Sequence, residues 1–160
     1  MPHGALHVLT FLSALGAGLM AGLFFAFSAF IMNALARLPP AQGILAMQSI
    51  NVTILRPSFL AVFLGTAVAS LVLAVSALLS WERPEARYLV VGSALYLLGI
   101  IGVTGAFNVP RNDALAALDP ASAEAAGQWA RYVSTWTAWN HVRTAAALGA
   151  SAAFILALRR

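Results

Sequence analysis

Within eight residues near the C-terminus the chain places two indoles, an amide, an imidazole and a guanidinium: Trp136, Trp139, Asn140, His141 and Arg143. An imidazole that titrates near neutral pH can take a proton. A guanidinium and an amide can hold a developing oxyanion, and indole faces can stack on a flat ring. These residues open an apolar segment, where a charge costs about 2.5 to 3.5 kcal/mol on insertion scales, so they are expected to face a bundle interior and to act there. On a wheel at 100° per residue, Trp136, Trp139, Asn140 and Arg143 fall within about 100° of one another, while His141 lies about 100° from Asn140, beside Thr137 and Thr144. An inward Asn140 and Arg143 therefore put His141 on a flank that another helix has to cover.

Other chemistries fail on placement. The five acids, Glu82, Glu85, Asp113, Asp119 and Glu124, lie outside the apolar segments and none precedes a His at Glu-x-x-His spacing, which argues against a carboxylate-bridged di-iron bundle. His3 and His7 start the chain while His141 starts its last segment. Across a bilayer these imidazoles are about 25 Å apart, so no metal ligand set is expected. Cysteine is absent, which removes thiolate sites and disulfides. No acid sits inside a crossing, as a proton-coupled exporter would need. Glycine-rich phosphate loops and Ser-His-Asp triads are also missing.

The elements that position these residues follow from composition. Of 160 residues 61% are hydrophobic and 9% charged, with mean hydropathy +0.86, far from the roughly 25% charged of soluble domains. Four runs, approximately 6–34, 59–80, 88–107 and 137–158, reach the roughly 20 apolar residues that cross a bilayer. The fold predicted is all-α: a single membrane domain over 1–160, a bundle of four transmembrane helices lodged in the lipid bilayer. The first run is too long for a signal-peptide core and is read as a retained helix. A net charge of +4 comes from nine Arg spread over every loop, which makes no basic cluster and argues against nucleic acid.

Four crossings put both termini and the turn 81–87 on one side, side A, and the connections 37–57 and 108–136 on the other, side B. Arg divides evenly, Arg83, Arg87, Arg159 and Arg160 against Arg37, Arg56, Arg111 and Arg131, so the positive-inside rule is balanced; the C-terminal Arg pair inclines side A to the cytoplasm. After the Pro39-Pro40 stop, Ile44, Met47, Ile50 and Ile54 recur at helical spacing, with Gln48 and Asn51 on one face. This predicts a short interfacial helix. The 108–120 stretch reads as a Pro-broken turn, and 121–136 as an Ala-rich helix that leads into the fourth crossing, with Asp119 or Ser122 as N-cap. Small residues, Gly18 and Gly22, then Gly99, Gly102 and Gly105, predict close helix packing and allow a homodimer.

Asn108, Asn112, Gln48 and Asn51 come down at the level of Trp136–Arg143, whereas side A offers only a tight turn. A chamber opening to side B, with aromatic walls and a few convergent polar groups, is the pattern of a small-ligand site. Its ligand is expected to be a small apolar or aromatic molecule.

The run Phe24–Phe30, then Leu38-Pro39-Pro40, Met47–Asn51, Asn108–Asn112, Trp129, and Trp136, Trp139, Asn140, His141 and Arg143 resembles the anthrone oxygenase-like family of integral membrane proteins over nearly the whole chain. The resemblance implies a bacterial member, residing in the inner membrane, that acts as a cofactor-independent monooxygenase. Such an enzyme oxidises the activated methylene of a flat anthrone with O₂ as co-substrate and no metal or flavin. On that reading His141 is the base, Arg143 and Asn140 with Asn108 or Asn112 stabilise the oxyanion, and Trp136 and Trp139 stack on the substrate. Gln48 and Asn51 help line the chamber. The alternatives are a non-catalytic binding or transport module for a lipophilic solute, and a structural membrane subunit.

Overall fold

The computed structural model describes residues 3–160; the side chain of His3 and residues 1–2 lie outside the described residues. Among them the chain is helical throughout, with no strand. Four helical stretches are long and apolar enough to cross a membrane: Gly4–Ala36, Pro57–Leu78, Ala86–Ala116 and Ala125–Leu158. The protein is an integral membrane protein. Its outer surface is apolar where a soluble protein is polar: Leu19, Leu64, Val68, Leu98 and Leu148 are all exposed.

The first span is built from α1 (His3–Ala26), a π-helical turn at Phe27–Ile31, and α2 (Met32–Ala36). Proline then starts both following helices, α3 (Pro40–Thr53) and α4 (Pro57–Leu78), each in the first turn, where its missing N–H has no bond to lose. The third span joins α5 (Ala86–Ala94), π-helical Leu95–Gly102 and Thr104–Asn108, and α6 (Val109–Ala116). The fourth is α7 (Ala125–Leu158), one helix of 34 residues. At 1.5 Å per residue α7 is about 51 Å long, well beyond the roughly 30 Å of hydrocarbon. The surplus is its N-terminal third, which carries Gln128, Arg131 and Thr135 past the apolar layer on side B.

Two boundaries differ from the sequence expectation. The third span does not end at Asn108-Val-Pro: Pro110 falls in the first turn of α6 directly after a π turn, so the helix runs on to Ala116 and breaks only before Pro120. Asp119 does not cap α7 either. Its Oδ1 accepts from Ala121 N at 2.9 Å in a local turn, and α7 begins at Ala125, with Glu124 at the N-cap position and no side-chain cap.

The spans form a ring in which α1 packs along α7, α7 along α5, α5 along α4 and α4 along α1. Toward side A the core is small and aliphatic: Ala17 and Ala21 of α1, Leu73 of α4, Leu89 and Ile100 of the third span, and Ala147 and Ala150 of α7, with Tyr96 and Phe154 between them. Toward side B it is aromatic, with Phe27, Met32, Ile44, Met47, Leu115, Trp129, Tyr132 and Trp136. Close approach is real at Gly99, where an added Cβ would meet Ala146 Cβ at 2.5 Å, and at Gly43, where it would meet the Trp129 ring at 2.8 Å. Gly43 lets α3 lie flat on the aromatic core. Gly22 and Gly105, by contrast, have no such neighbour within 4 Å.

Candidate functional site

α7 presents Trp129, Tyr132, Trp136, Asn140 and Arg143 inward as one stripe, at spacings of three and four. Trp129 and Tyr132 stack at 5.6 Å and Tyr132 and Trp136 at 6.3 Å between ring centroids. Next along the stripe, the Arg143 guanidinium lies over two aromatic faces, 5.0 Å from the Trp136 ring centroid and 4.5 Å from that of Phe24. Such contacts are worth about 2 kcal/mol when desolvated.

Arg143 is only 6% exposed, and no carboxylate pairs with it; the one ion pair among the described residues is Arg83–Glu85. Its Nη2 donates to Asn140 Oδ1 at 2.7 Å and its Nη1 to Thr104 Oγ1 at 3.3 Å, while Nε is buried without a partner. Asn140, fully buried, is held in turn: its Nδ2 donates to Phe24 O and to Ser28 Oγ, both at 2.7 Å. Thr144 donates to Asn140 O at 2.9 Å. The amide therefore has one orientation, with its oxygen at the guanidinium.

Below Arg143 a second set of contacts fixes the aromatic wall. Asn112 Oδ1 accepts from both Tyr132 Oη and Trp136 Nε1, each at 2.9 Å. Asn108, 1% exposed, donates Nδ2 to Trp136 O at 3.3 Å and keeps its Oδ1 buried and unpaired. Asn51 lies beside the Tyr132 hydroxyl. Ser28, Thr104 and Asn108 all sit in π-helical turns of the first and third spans. Such turns shift the register by one residue and recur at functional sites.

Of the residues expected to act together, the structure gathers Trp136, Asn140, Arg143, Asn108, Asn112 and Asn51. Three do not join them. His141 is exposed on the outer surface of α7, since the residue after an inward Asn140 turns 100° away and no helix covers that flank. Trp139, at the edge of the face, is half-buried and stacks on Phe107 at 3.5 Å and 6°. Gln48 donates to Leu115 O at 2.8 Å and Leu118 O at 3.2 Å, and so caps the end of α6. Sequence reasoning gave no site role to the partners Phe24, Ser28, Thr104 and Tyr132. Phe24 and Ser28 entered only within the run that carries the family resemblance, and Thr104 carried no signal beyond lying in an apolar helix; Tyr132 had one, its spacing of four from Trp136.

The open volume lies beside this cluster. A groove of about 690 Å³ runs between α6 and α7 on side B, lined by Arg111, Leu115, Gln128, Arg131, Tyr132 and Thr135 among others. Tyr132 is the side chain the groove shares with the Arg143 stripe. Side A, expected to offer only a turn, has a groove of similar size, about 680 Å³, with His7, Arg83, Glu85 and Arg160 on its walls. Among the described residues no three His, Cys, Asp or Glu side chains come together as a metal-binding group.

These observations together describe a four-helix membrane bundle that holds an unpaired buried cation between aromatic faces at one end. The sequence profile of the anthrone oxygenase family matches residues 58–153, and the chain belongs to that family. The matched stretch includes Asn108, Asn112, Trp136, Asn140 and Arg143, but not Phe24, Ser28 or Asn51. Neither a curated protein nor a solved structure matches the chain.

Proposed function

We propose that the protein is a membrane-embedded oxygenase that converts an activated methylene of a small planar aromatic ketone, of the anthrone type, into a carbonyl. The observation that carries this reading is Arg143, a buried guanidinium with no carboxylate partner, set against two aromatic faces and oriented by Asn140. A fixed positive charge in dry surroundings is what a developing enolate oxygen requires, and one such donor is worth about 10² to 10³ in rate. With its oxygen at Arg143, the ketone draws electron density through the flanking aryl rings, and the methylene C–H across the central ring becomes more acidic. The proton leaves to water and the electron pair moves onto oxygen. The electron-rich anthrolate then passes an electron to O₂ directly, so the chemistry calls for no resident cofactor. Carbon and O₂ combine to a hydroperoxide, which loses water to give the quinone: one CH₂ and one O₂ become one C=O and one H₂O.

In this account Arg143 is the group that touches the reacting oxygen, Asn140 positions it, and Trp136 gives the substrate a face to lie on. The account gives His141, exposed on the outside of α7, no part in the proton transfer. The test is oxygen uptake by the purified, metal-stripped protein with a simple anthrone, corrected for autoxidation. Saturable uptake that falls about 100-fold in Arg143→Met and persists in His141→Ala supports the assignment. Uptake equal to autoxidation in the wild type refutes the oxygenase, and saturable ligand binding in that case leaves a binding module for lipophilic solutes.

A further inference from the structure

We infer that the groove between α6 and α7 binds the carboxylate arm of a flat amphipathic anion, so that the substrate class of this protein is an aromatic carboxylate rather than a neutral aromatic. The groove has an aromatic and aliphatic wall made by Tyr132, Leu115, Leu118 and Ala114, and two guanidinium groups, Arg111 and Arg131. Arg111 is anchored from below: Nε donates to Thr135 Oγ1 at 3.1 Å and Nη1 to Phe107 O at 2.6 Å, which leaves Nη2 unengaged. The Arg131 guanidinium, exposed one turn from Thr135, has no hydrogen bond or ion pair among the described residues. Glu124, the groove's only acid, is held by Gln128 Nε2 at 3.2 Å. Two arginines and one glutamate leave a net charge of +1.

A preoriented guanidinium with free N–H groups selects a planar carboxylate. The groove sits on the part of α7 that stands beyond the hydrocarbon layer, where an amphiphile carries its charge at headgroup level and its ring toward the core. Tyr132 then connects the two regions: it walls the groove on one side, and on the other it stacks on Trp136, whose ring lies against Arg143. A ring bound with its carboxylate at Arg111 and Arg131 lies along Tyr132, on the way to that stripe. That the bound anion is a substrate rests on the oxygenase reading; that it binds does not, because that reading concerns only the chemistry at Arg143.

Anthracene-9-carboxylate tests this, because it is flat, anionic and an energy-transfer acceptor for the nearby Trp129 and Trp136. Its neutral counterpart is anthracene-9-methanol. With the full chain in phosphatidylcholine nanodiscs, the carboxylate should quench tryptophan emission saturably and bind about tenfold more tightly than the alcohol. Arg131→Gln, at an exposed position without partners, should weaken it about two- to fivefold, and Arg111→Gln with Arg131→Gln about tenfold, as expected for partly exposed pairs. Glu124→Gln should tighten it, and 0.5 M salt should weaken it. Equal affinity for both probes overturns the proposal, as does wild-type affinity in Arg131→Gln and in the double variant. Displacement of the probe by phosphatidylglycerol in the disc also overturns it, since the occupant would then be a lipid headgroup. If carboxylate binding depends on Arg111 and Arg131 while neither anthrone nor a carboxylate-bearing anthrone drives oxygen uptake, the oxygenase reading fails alone; if uptake is intact and both probes bind equally, this one does.

Discussion

The two ends of the bundle use the same four helices in different ways. Toward side A, polar side chains mostly close onto backbone carbonyls: Thr10 onto Leu6, Ser13 onto Leu9, Tyr96 onto Phe63 and Ser151 onto Ala14. The groups left over there, the Ser70 and Ser93 hydroxyls, are neutral. Toward side B, side chains reach backbone carbonyls as well, Asn140 that of Phe24 and Asn108 that of Trp136, but they also bond to one another, Arg143 to Asn140 and Thr104, Asn140 to Ser28, and Tyr132 and Trp136 to Asn112. Among the groups left over there, beside the neutral Asn108 oxygen, Trp129 Nε1 and the Ser122 and Thr137 hydroxyls, is one that carries a charge, the Nε of Arg143. One end has closed its polar groups and gains stability from packing; the other retains a cation that folding alone does not require.

That contrast can be broken at Arg143 first. A buried charge without a counter-ion costs several kcal/mol of desolvation, more than the roughly 1 to 3 kcal/mol of leaving Asn140 Oδ1 without its donor. Arg143→Met should therefore keep or raise the thermal midpoint in detergent while oxygen uptake falls about 100-fold. A large loss of stability with uptake retained would make Arg143 structural.

The next effect is one of packing. Gly43→Ala drives a Cβ into the Trp129 ring, 2.8 Å away, and overpacking of this kind costs about 1 to 3 kcal/mol. Gly22→Ala meets nothing comparable and should gain up to about 1 kcal/mol from helix propensity. Thermal unfolding of the two variants reads the difference. Equal midpoints would mean that α3 does not rest on the aromatic core.

At the aliphatic end, Tyr96→Phe removes the 3.0 Å bond to Phe63 O and should cost about 1 kcal/mol of stability, with oxygen uptake unchanged. A loss of uptake would show that the two ends are coupled. The smallest effect belongs to His141→Ala. Its side chain is exposed, so stability should move by less than about 0.5 kcal/mol and uptake by less than about twofold; a large drop would restore His141 as the base.

Much of this was legible in the sequence. Hydropathy sets four spans because a bilayer demands about 20 apolar residues per crossing, and Pro39, Pro40 and Pro57 set the starts of α3 and α4. The inward stripe Trp136, Asn140, Arg143 comes from the 100° step of a helix, as does the outward turn of His141. Pro110 misled, because proline ends a helix only where its neighbours need the missing hydrogen bond, and a first turn after a π segment does not. Trp139 and Gln48 misled for another reason: each lies at the edge of a face, where a partner from elsewhere in the chain, Phe107 for one and the α6 carbonyls for the other, takes the side chain away from the centre.

Periodicity and transfer to lipid are local properties, so the amino-acid order was enough to set the spans, the helix faces and the presence of a costly arginine among them. It took the packed bundle to bring Arg143 against Phe24, Thr104 and an oriented Asn140 but no carboxylate, and to open the groove between α6 and α7. Those outcomes depend on which helices are neighbours and on register shifts at π turns, which bring together residues more than a hundred positions apart that no local pattern connects.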